Sequence, residues 1–246
     1  MEAEVLQPTP YAFNTAETVA TYDLDMEVWH PNRAKMASVV CEVLPFQNTT
    51  TLRFLDLGAG TGYLSHRVLE RFPYATAIAV DAADLMLEKA RARLQRYSER
   101  VTFRVATFQE LPDKAGDLSG LDAVVSSLAL HHLFEEEKLA LFRYIRSILK
   151  PYGWFVNCDI IRTADAVLEA RYRRLHHEGI RERMMRLRHQ DVTLDGVSAV
   201  LTAKEQKDGD RPLLLADDLH FIKEAGFRTA ECFWKEYREA VYGGIA

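Results

Sequence analysis

The most informative part of this sequence is a glycine-rich stretch, Leu55-Asp56-Leu57-Gly58-Ala59-Gly60-Thr61-Gly62-Tyr63. The apolar run 52–57 predicts a buried strand, and residues 63–71 predict the helix that follows it. Glycines at alternate positions let the backbone turn sharply, and they let a ligand approach without a Cβ in the way. The stretch is therefore predicted to be a ligand-binding turn between a strand and a helix.

The glycine spacing excludes two common phosphate-binding motifs. Dinucleotide sites use Gly-x-Gly-x-x-Gly, whereas here Tyr63 stands where the third glycine of that motif would pack. A P-loop would continue with Lys-Ser or Lys-Thr, and no such pair follows Gly62. The turn is therefore predicted to bind neither a nicotinamide or flavin dinucleotide nor a nucleoside triphosphate.

Asp81 is the second informative residue because it ends the next apolar run, Ile78-Ala79-Val80. A carboxylate at the end of the second strand can accept hydrogen bonds from both hydroxyls of a ribose. The alternative is a structural role, since any tight strand-to-helix turn uses glycine and any strand can end in aspartate. The two features together, in this order, favour a nucleoside ligand.

Outside this stretch, short apolar runs alternate with amphipathic ones, which is typical of a doubly wound α/β fold. Predicted strands cover 52–57, 76–80, 101–106, 121–126, 154–159, 229–234 and 237–242. Predicted helices cover 15–22, 32–44, 63–71, 84–97, 135–149, 164–188 and 216–225. Residues 194–211 are polar and poorly periodic.

A length of 246 residues fits one elaborated domain. We predict a helical N-terminal cap over 1–48, a cofactor-binding core over 49–161, a helical insertion or lid over 162–215, and a C-terminal helix with two strands over 216–246. The net charge of −5 gives no overall attraction to nucleic acid or to an anionic membrane.

The sequence predicts a cytoplasmic protein that does not span a membrane. The N-terminus carries Glu2 and Glu4 rather than a basic and then apolar run, and no apolar stretch approaches the roughly 20 residues of a membrane span. Cys41, Cys158 and Cys232 fit neither a disulfide framework nor a zinc spacing, so we expect free, buried thiols.

The motifs, taken in order, resemble those of class I S-adenosylmethionine-dependent methyltransferases of the bacterial small-molecule type. The resemblance covers about residues 50–160 and then residue 219 to the C-terminus. Its motifs lie at 56–62, 78–81, 121–133, 149–153 and 225–227.

The resemblance implies a Rossmann-like seven-stranded sheet of order 3-2-1-4-5-7-6 with the last strand antiparallel. It implies S-adenosylmethionine as cofactor, with its methionine end near Gly58 and Gly60 and its ribose on Asp81. The cofactor-binding positions that it implies are Asp56, Gly58, Ala59, Gly60, Gly62, Asp81, Ala82, Thr107, Phe108 and Ser127.

The third-strand motif departs from the family, where a Gly-Asp pair often accepts a hydrogen bond from the adenine amino group. Ala106 and Thr107 stand at those positions, followed by Phe108 and Gln109. Thr107 or Gln109 can still accept that bond, and Phe108 can flank the adenine ring. The contact would lose the strength that a charged acceptor adds.

Methyl transfer from a sulfonium is an in-line displacement, so the protein must mainly align the reacting atoms and exclude water. Candidates near the acceptor are His131 and His132 after strand four, and Asp159 at the end of strand five. His131 is the favoured base; the alternative is that the Leu-His-His-Leu segment only starts the next helix, and that Asp159 only caps its strand.

The N-terminal cap adds further candidates. The aromatic residues Tyr11, Phe13 and Tyr22 are predicted to close over the site, and Trp29 and Arg33 to approach the methionine end with Tyr22. The alternative is that the cap covers an exposed edge of the sheet.

The insertion is rich in arginine, and we weigh two explanations. A basic lid would attract an anionic acceptor or an RNA backbone. The favoured explanation is a solvated helix with ion pairs such as Glu169–Arg173 and Glu182–Arg186. His176 and His177 are adjacent and point about 100° apart on a helix, so we expect no metal.

The predicted function is transfer of a methyl group from S-adenosylmethionine to an oxygen, nitrogen or carbon atom of a small-molecule acceptor, with an anionic acceptor and a homodimer as options. One alternative is a tRNA-modifying enzyme of the same fold, in which an arginine precedes the Ala-Gly-Phe turn. Phe221 stands at that place here, and the net charge is negative, so nucleic acid is not the expected partner. The other alternative is a cofactor-binding partner subunit without catalytic activity.

Overall fold

The computed structural model describes residues 13–114 and 118–246. Seven strands form one sheet in the order β3-β2-β1-β4-β5-β7-β6, as predicted. They are β1 (Arg53–Leu57), β2 (Thr76–Asp81), β3 (Val101–Val105), β4 (Leu121–Ser127), β5 (Leu149–Ile160), β6 (Glu231–Glu236) and β7 (Glu239–Ile245). β1 to β5 run parallel, whereas β7 pairs antiparallel with β5 and with β6.

Helices cover both faces of the sheet, so the central strands are apolar on both sides. Along β1, Phe54 packs in one core cluster, and Leu55 and Leu57 pack in the other, because successive side chains of a strand point to opposite faces. The helices are α1 (Ala16–Trp29), α2 (Arg33–Val43), α3 (Tyr63–Arg71), α4 (Asp84–Arg93), α5 (Leu111–Lys114), α6 (Glu135–Ile148), α7 (Ala166–Arg188), α8 (Leu194–Asp208) and α9 (Leu215–Glu224).

Several local expectations differ from the structure: α1 continues to Trp29 instead of ending near residue 22, and β6 and β7 each begin two residues later than expected. The helix after β2, α4, ends at Arg93 rather than near residue 97. Residues 194–208 form α8 despite their weak periodicity, because Thr193 caps the start of the helix and Gly209 ends it at a φ of 70°. Cys232 is exposed rather than buried, since it lies on the edge strand β6.

The N-terminal cap and the insertion pack against each other. Val28 and Trp29 of α1 share a small apolar core with Ile180 of α7 and with Val197 and Leu201 of α8. Polar contacts support this core, because His176 Nε2 lies 2.6 Å from the Trp29 carbonyl oxygen and Arg183 Nε donates to the Val28 carbonyl at 2.7 Å. The N-terminal cap (residues 13–48) and the insertion (residues 162–215) thereby form one unit, called the roof below.

Among the helices that the structure describes, none combines the length and the apolar character that crossing a membrane requires.

Candidate active site

A cavity of about 390 Å³ lies at the carboxyl ends of the central strands, where ligands bind in doubly wound sheets. Its lining includes Gly58 and Gly60 after β1, Asp81 and Ala82 at the end of β2, the segment 106–109 after β3, and Ala129 and His132 after β4. The roof contributes Phe13, Tyr22 and Asp208. The cavity therefore has a floor formed by the core and a cover formed by the cap and the insertion.

The glycine turn is shaped by close backbone packing. Gly58 has a φ of +67°, and a Cβ added there would lie 2.4 Å from the Cβ of Ala129. Any side chain at position 58 would therefore have to displace the segment that follows β4, in addition to the cost of a left-handed backbone. The turn is open to a ligand because its first glycine has no side chain.

Asp81 is held by the backbone of the same turn. Its Oδ2 accepts a hydrogen bond from Gly60 N at 2.7 Å, and its Oδ1 accepts one from Ala83 N at 2.8 Å. Burial raises the pKa of Asp81, and these backbone N–H groups oppose that rise. The carboxylate is thus fixed in place and still forms part of the cavity wall, so its remaining lone pairs can receive ribose hydroxyls.

The segment after β3 supplies the cavity wall at which the adenine is expected. Thr107, Phe108 and Gln109 all line the cavity. Gln109 Nε2 donates to Glu137 at 3.0 Å, and Thr107 Oγ1 accepts from the backbone N–H of Glu110 at 3.3 Å. These contacts orient the two polar side chains, Thr107 and Gln109, that are expected to accept a hydrogen bond from the adenine amino group.

A narrower crevice continues from the cavity beneath Tyr22, and Asp56, Ala59, Ser127 and Arg33 line it. Asp56 is fully buried, and its Oδ2 accepts from Ser65 N at 3.0 Å and Ser65 Oγ at 2.6 Å. Its Oδ1 makes no hydrogen bond within the described parts of the chain. Burial raises the pKa of Asp56 to about 7, because the charged carboxylate is poorly solvated.

The Oδ1 of Asp56, which has no partner among the described residues, shows that the crevice fits one end of S-adenosylmethionine. A buried acceptor without a partner is costly, and a cationic amino group would satisfy it. The α-amino group of a methionine moiety has this chemistry, and Arg33 in the same crevice can pair with its carboxylate. The crevice therefore matches the charged end of S-adenosylmethionine.

Asp23 of α1 ties the roof to this crevice. Arg33 Nη1 donates to it at 3.1 Å, Arg93 Nη2 at 2.8 Å and Thr61 Oγ1 at 2.9 Å. Burial would raise the pKa of Asp23, but the bonds from Arg93 and Thr61 outweigh it and lower the pKa. One carboxylate thus joins the cap, the glycine turn and the helix that follows β2.

The histidines after β4 differ in their surroundings. His131 is buried, and its Nδ1 lies 2.5 Å from Asp159 Oδ1, while its Nε2 lies 3.5 Å from Asp210 Oδ1. Burial would lower the pKa of His131, but the two carboxylates outweigh it and raise the pKa to about 9. His132 lines the cavity; burial and the charge on His131 lower its pKa.

Most of the predicted cofactor positions come together around the cavity and the crevice. Gly62 does not line either space; a Cβ there would lie 3.0 Å from Leu94 and 3.1 Å from Ala90, so this glycine allows α3 and α4 to approach. His131 and Asp159 lie behind His132 rather than in the cavity wall. Their catalytic role stays a prediction.

The expected roof residues are partly confirmed as cavity contacts. Phe13 and Tyr22 line the cavity, and Arg33 lines the crevice with Tyr22. Trp29 instead packs in the core that the cap shares with the insertion. Tyr11 lies outside the described residues.

Two residues at the end of the insertion are not among the predicted site residues: Asp210 lies beside His131 and His132, and Asp208 lines the cavity. Asp210 Oδ1 lies 3.3 Å from His132 Nδ1, and Asp208 lines the cavity while pairing with Lys204. No local signal marks either residue, because each lies far along the chain from the histidines. The adjacent Gly209 is only the end of α8.

Four arginines of the insertion make contacts within the insertion or with the cap, among them Arg183, which donates to the Val28 carbonyl. Arg173 pairs with Glu169 at 3.1 Å and with Glu205 at 3.0 Å, and Arg174 pairs with Glu178 at 2.8 Å. Arg188 pairs with Asp25 of the cap. The expected Glu182–Arg186 pair is not among the ion pairs within the described ranges 13–114 and 118–246. The ion-pair explanation is therefore confirmed for Glu169–Arg173 but not for Glu182–Arg186.

Comparison with known proteins matches the same region. A family model described as a methyltransferase domain matches residues 54–153. The malonyl acyl-carrier-protein O-methyltransferase of Geobacter sulfurreducens is 30% identical over 212 residues, which cover 85% of this chain and 68% of that protein. An uncharacterised methyltransferase of Mycobacterium tuberculosis is 39% identical over 99 residues, covering 40% of this chain and 46% of that protein.

A solved structure shows the same fold at low identity. An O-methyltransferase family protein from Burkholderia thailandensis aligns with a TM-score of 0.68 and 16% identity, over 98% of this chain and 63% of that one. The chain thus spans less than two thirds of several proteins that it resembles, whereas its match to the Geobacter sulfurreducens relative exceeds that share. Together with the strand order and the glycine turn, these matches place the chain among the class I S-adenosylmethionine-dependent methyltransferases.

Proposed function

We propose that this protein transfers the methyl group of S-adenosylmethionine to a small-molecule acceptor bound beside His132. One observation carries the proposal: a single cavity has both Asp81, after β2, and His132, after β4, in its lining. β1 lies between these strands, so their ends are about 10 Å apart. The cavity therefore has room for a nucleoside at one side and an acceptor at the other.

The chain's own residues would hold the cofactor along this path. Asp81 would accept the ribose hydroxyls, and Phe108 and Thr107 would flank the adenine. Asp56 would take the amino group in the crevice, which also contains Ser127. The bound cofactor supplies a methyl group on an already activated sulfur, so the protein's task is alignment and exclusion of water.

The acceptor side of the cavity is mainly apolar. Phe13, Leu128 and Leu133 lie in its lining together with His132 and Asp208. No lysine or arginine is found in the part of the lining that the structure describes. This supports an uncharged acceptor with an apolar body, and it gives no support to the anionic acceptor that the arginine-rich insertion suggested.

His132 is the proposed contact to the nucleophilic atom. Its pKa is lowered by burial and by its neighbour His131, so near neutral pH the imidazole is uncharged and can accept a proton. His131 and Asp159 then act as positioning residues, because they contact each other behind His132 and not the cavity.

A second candidate is methylation of a carboxyl group. The name of the Geobacter sulfurreducens relative, which acts on a malonyl group, favours it. A carboxylate needs no base, but it does need a cation to hold it. The lining described above offers none from lysine or arginine, so we rank this candidate below the first.

The test begins with calorimetric titration of the protein with S-adenosylmethionine and S-adenosylhomocysteine. We expect micromolar binding of both. Transfer of labelled methyl groups is then measured to a panel of phenols, amines and carboxylic acids, and to total tRNA. Label in an uncharged phenol or amine supports the proposal; label in tRNA, or binding without transfer to any probe, contradicts it and favours the RNA-modifying or the non-catalytic alternative.

A further inference from the structure

Behind the cavity wall, three side chains from two distant parts of the chain converge on one point. They are His131 and His132 after β4 and Asp210 after α8. Each of them offers one ligand atom, and these atoms all lie within 4.8 Å of one another. His131 is buried, and the other two are partly buried, so this is not a solvated surface cluster.

Two separations within this cluster suit side chains that share one metal ion. Asp210 Oδ1 lies 3.3 Å from His132 Nδ1 and 3.5 Å from His131 Nε2. His132 Nδ1 is buried and makes no hydrogen bond within the described residues, although the carboxylate is close to it. Tetrahedral Zn²⁺, with nitrogen and oxygen ligands at about 2.0–2.2 Å, separates neighbouring ligand atoms by about 3.3–3.5 Å.

Asp159 adds the outer contact that metal-binding histidines usually have. Its Oδ1 lies 2.5 Å from His131 Nδ1, so it fixes the ring orientation and favours a proton on Nδ1. The other ring nitrogen, Nε2, lies 3.5 Å from Asp210 Oδ1, and a cation that displaces its proton would bind there. Asp159 is itself completely buried, as a rigid support would be.

We propose that His131 Nε2, His132 Nδ1 and Asp210 Oδ1 bind a divalent cation of the Zn²⁺ type. Two imidazoles and one carboxylate form a ligand set that suits such ions, and three protein ligands leave a coordination position open. Because His132 also lines the cavity, the open position faces the acceptor side. Hard cations such as Mg²⁺ prefer oxygen ligands and are not expected to bind.

This metal site would add a cation to the proposed methyl-transfer site. Only the statement that its open position faces the acceptor rests on the proposed function. A bound cation would polarise an oxygen of the acceptor, or hold a carboxylate, without any lysine or arginine in the lining. His132 cannot accept a proton through Nδ1 while that nitrogen binds the cation. Methyl transfer should therefore need the cation if His132 is a metal ligand, and should not need it if His132 accepts a proton through Nδ1.

The experiment uses the full chain without a histidine tag, stripped with a chelator and titrated calorimetrically with Zn²⁺ and with Mg²⁺. We expect one Zn²⁺ per chain and no saturable Mg²⁺ binding. Co²⁺ gives a second readout, because its visible spectrum reports imidazole ligands and coordination number. Zn²⁺ should also raise the melting temperature of the wild-type protein.

Variants show whether the named atoms bind the ion. Asp210→Asn and His132→Asn should each weaken Zn²⁺ binding by more than tenfold and remove the thermal stabilisation. His177→Asn is the matched control, since His176 and His177 are also adjacent histidines; it should leave Zn²⁺ affinity unchanged. His132→Asn also keeps the test informative if Asp210→Asn destabilises the fold.

Three outcomes would overturn the inference: no saturable binding of Zn²⁺, equal weakening in the His177→Asn control, or a Co²⁺ spectrum without imidazole ligands. Titration with S-adenosylmethionine separates this result from the proposed function. Asp210→Asn should keep cofactor affinity, whereas Asp81→Ala should lose cofactor affinity and keep Zn²⁺ binding. Failure of one site is therefore visible independently of the other.

Discussion

The two sides of the cavity are built in different ways. On the cofactor side, Gly58, Gly60 and Asp81 belong to consecutive strand-to-helix units, and backbone N–H groups hold the carboxylate. On the acceptor side, His132 follows β4, while Phe13 and Asp208 come from the cap and the insertion. The floor of the cofactor side is thus encoded by local turns, and the cap adds Tyr22, Arg33 and Asp23 at its crevice, whereas the acceptor side depends mainly on the docking of distant segments. This difference predicts where single substitutions act and how strongly.

The largest effect is expected at Gly58, where the local turn leaves no space. Gly58→Ala places a Cβ 2.4 Å from the Cβ of Ala129 at a φ of +67°, so the turn must shift. We expect affinity for S-adenosylmethionine to fall by more than about 100-fold, which is close to 3 kcal/mol. Calorimetry measures this loss.

Gly120→Ala is the matched control for Gly58→Ala. Gly120 has the same φ of +67°, but an added Cβ there would meet no atom within 4 Å. Its substitution carries the backbone cost alone and should leave cofactor affinity unchanged. Equal loss in both variants would show that backbone strain, and not the close approach to Ala129, is responsible.

The next effect is expected at Asp81. Asp81→Ala removes a partly buried carboxylate that is fixed by Gly60 and Ala83, so cofactor affinity should fall by more than tenfold, given the usual contribution of about 1.5–3 kcal/mol from a charge-assisted hydrogen bond. The exposed Asp84 serves as control, and Asp84→Ala should have little effect. Unchanged affinity in Asp81→Ala would remove this residue from the cofactor site.

The contrast between the two sides also explains what the sequence could reveal. The strand order, the glycine turn and Asp81 are predictable, because alternating apolar runs and left-handed turn residues are local signals. Asp23 and Asp210 gave no such signal. Each becomes part of the site only when a roof segment docks, and docking depends on apolar contacts such as Trp29 with Ile180.

Helix α8 of the insertion is a second element that the sequence predicts poorly. Residues 194–208 lack clear periodicity because only Val197, Leu201 and Asp208 of that helix are buried. A helix that is fixed by its caps and a narrow contact leaves little pattern in the sequence. The role of the insertion's arginines was equally hard to predict, because Arg173 of α7 pairs with Glu205 of a different helix.

A different observable, the pH dependence of stability, tests the crevice. The pKa of Asp56 is raised from 3.8 to about 7, so the folded protein binds a proton that the unfolded chain does not bind between these values. The stability from this group is therefore complete below about pH 4 and is lost as pH rises through 7. Relative to Asp56→Asn, the wild-type protein should lose up to a few kcal/mol of stability over this range, since one pKa unit corresponds to about 1.4 kcal/mol.

Melting temperatures of the two proteins between pH 4 and 8, without cofactor, measure this difference. Asp56→Asn keeps an acceptor for Ser65 and a similar volume, so the comparison isolates the charge. S-adenosylmethionine should reduce the difference by placing a cationic group beside Oδ1. A pH-independent difference between the two proteins would show that the carboxyl group does not titrate in this range.

The smallest effect is expected where the two sides are joined. Asp23 and Asp25 lie on the same helix, but Asp23 binds Arg33, Arg93 and Thr61 near the cofactor turn, whereas Asp25 binds Arg188 of the insertion. Asp23→Asn should weaken cofactor binding about three- to tenfold, because half-buried charge pairs contribute about 1 kcal/mol. Asp25→Asn should leave cofactor affinity nearly unchanged and instead speed proteolytic cleavage of α7 and α8, because it loosens the insertion. If both variants weaken cofactor binding equally, the roof acts as one unit on both sides of the cavity. The contrast between a locally encoded cofactor side and a docked acceptor side would then not hold for the residues of α1.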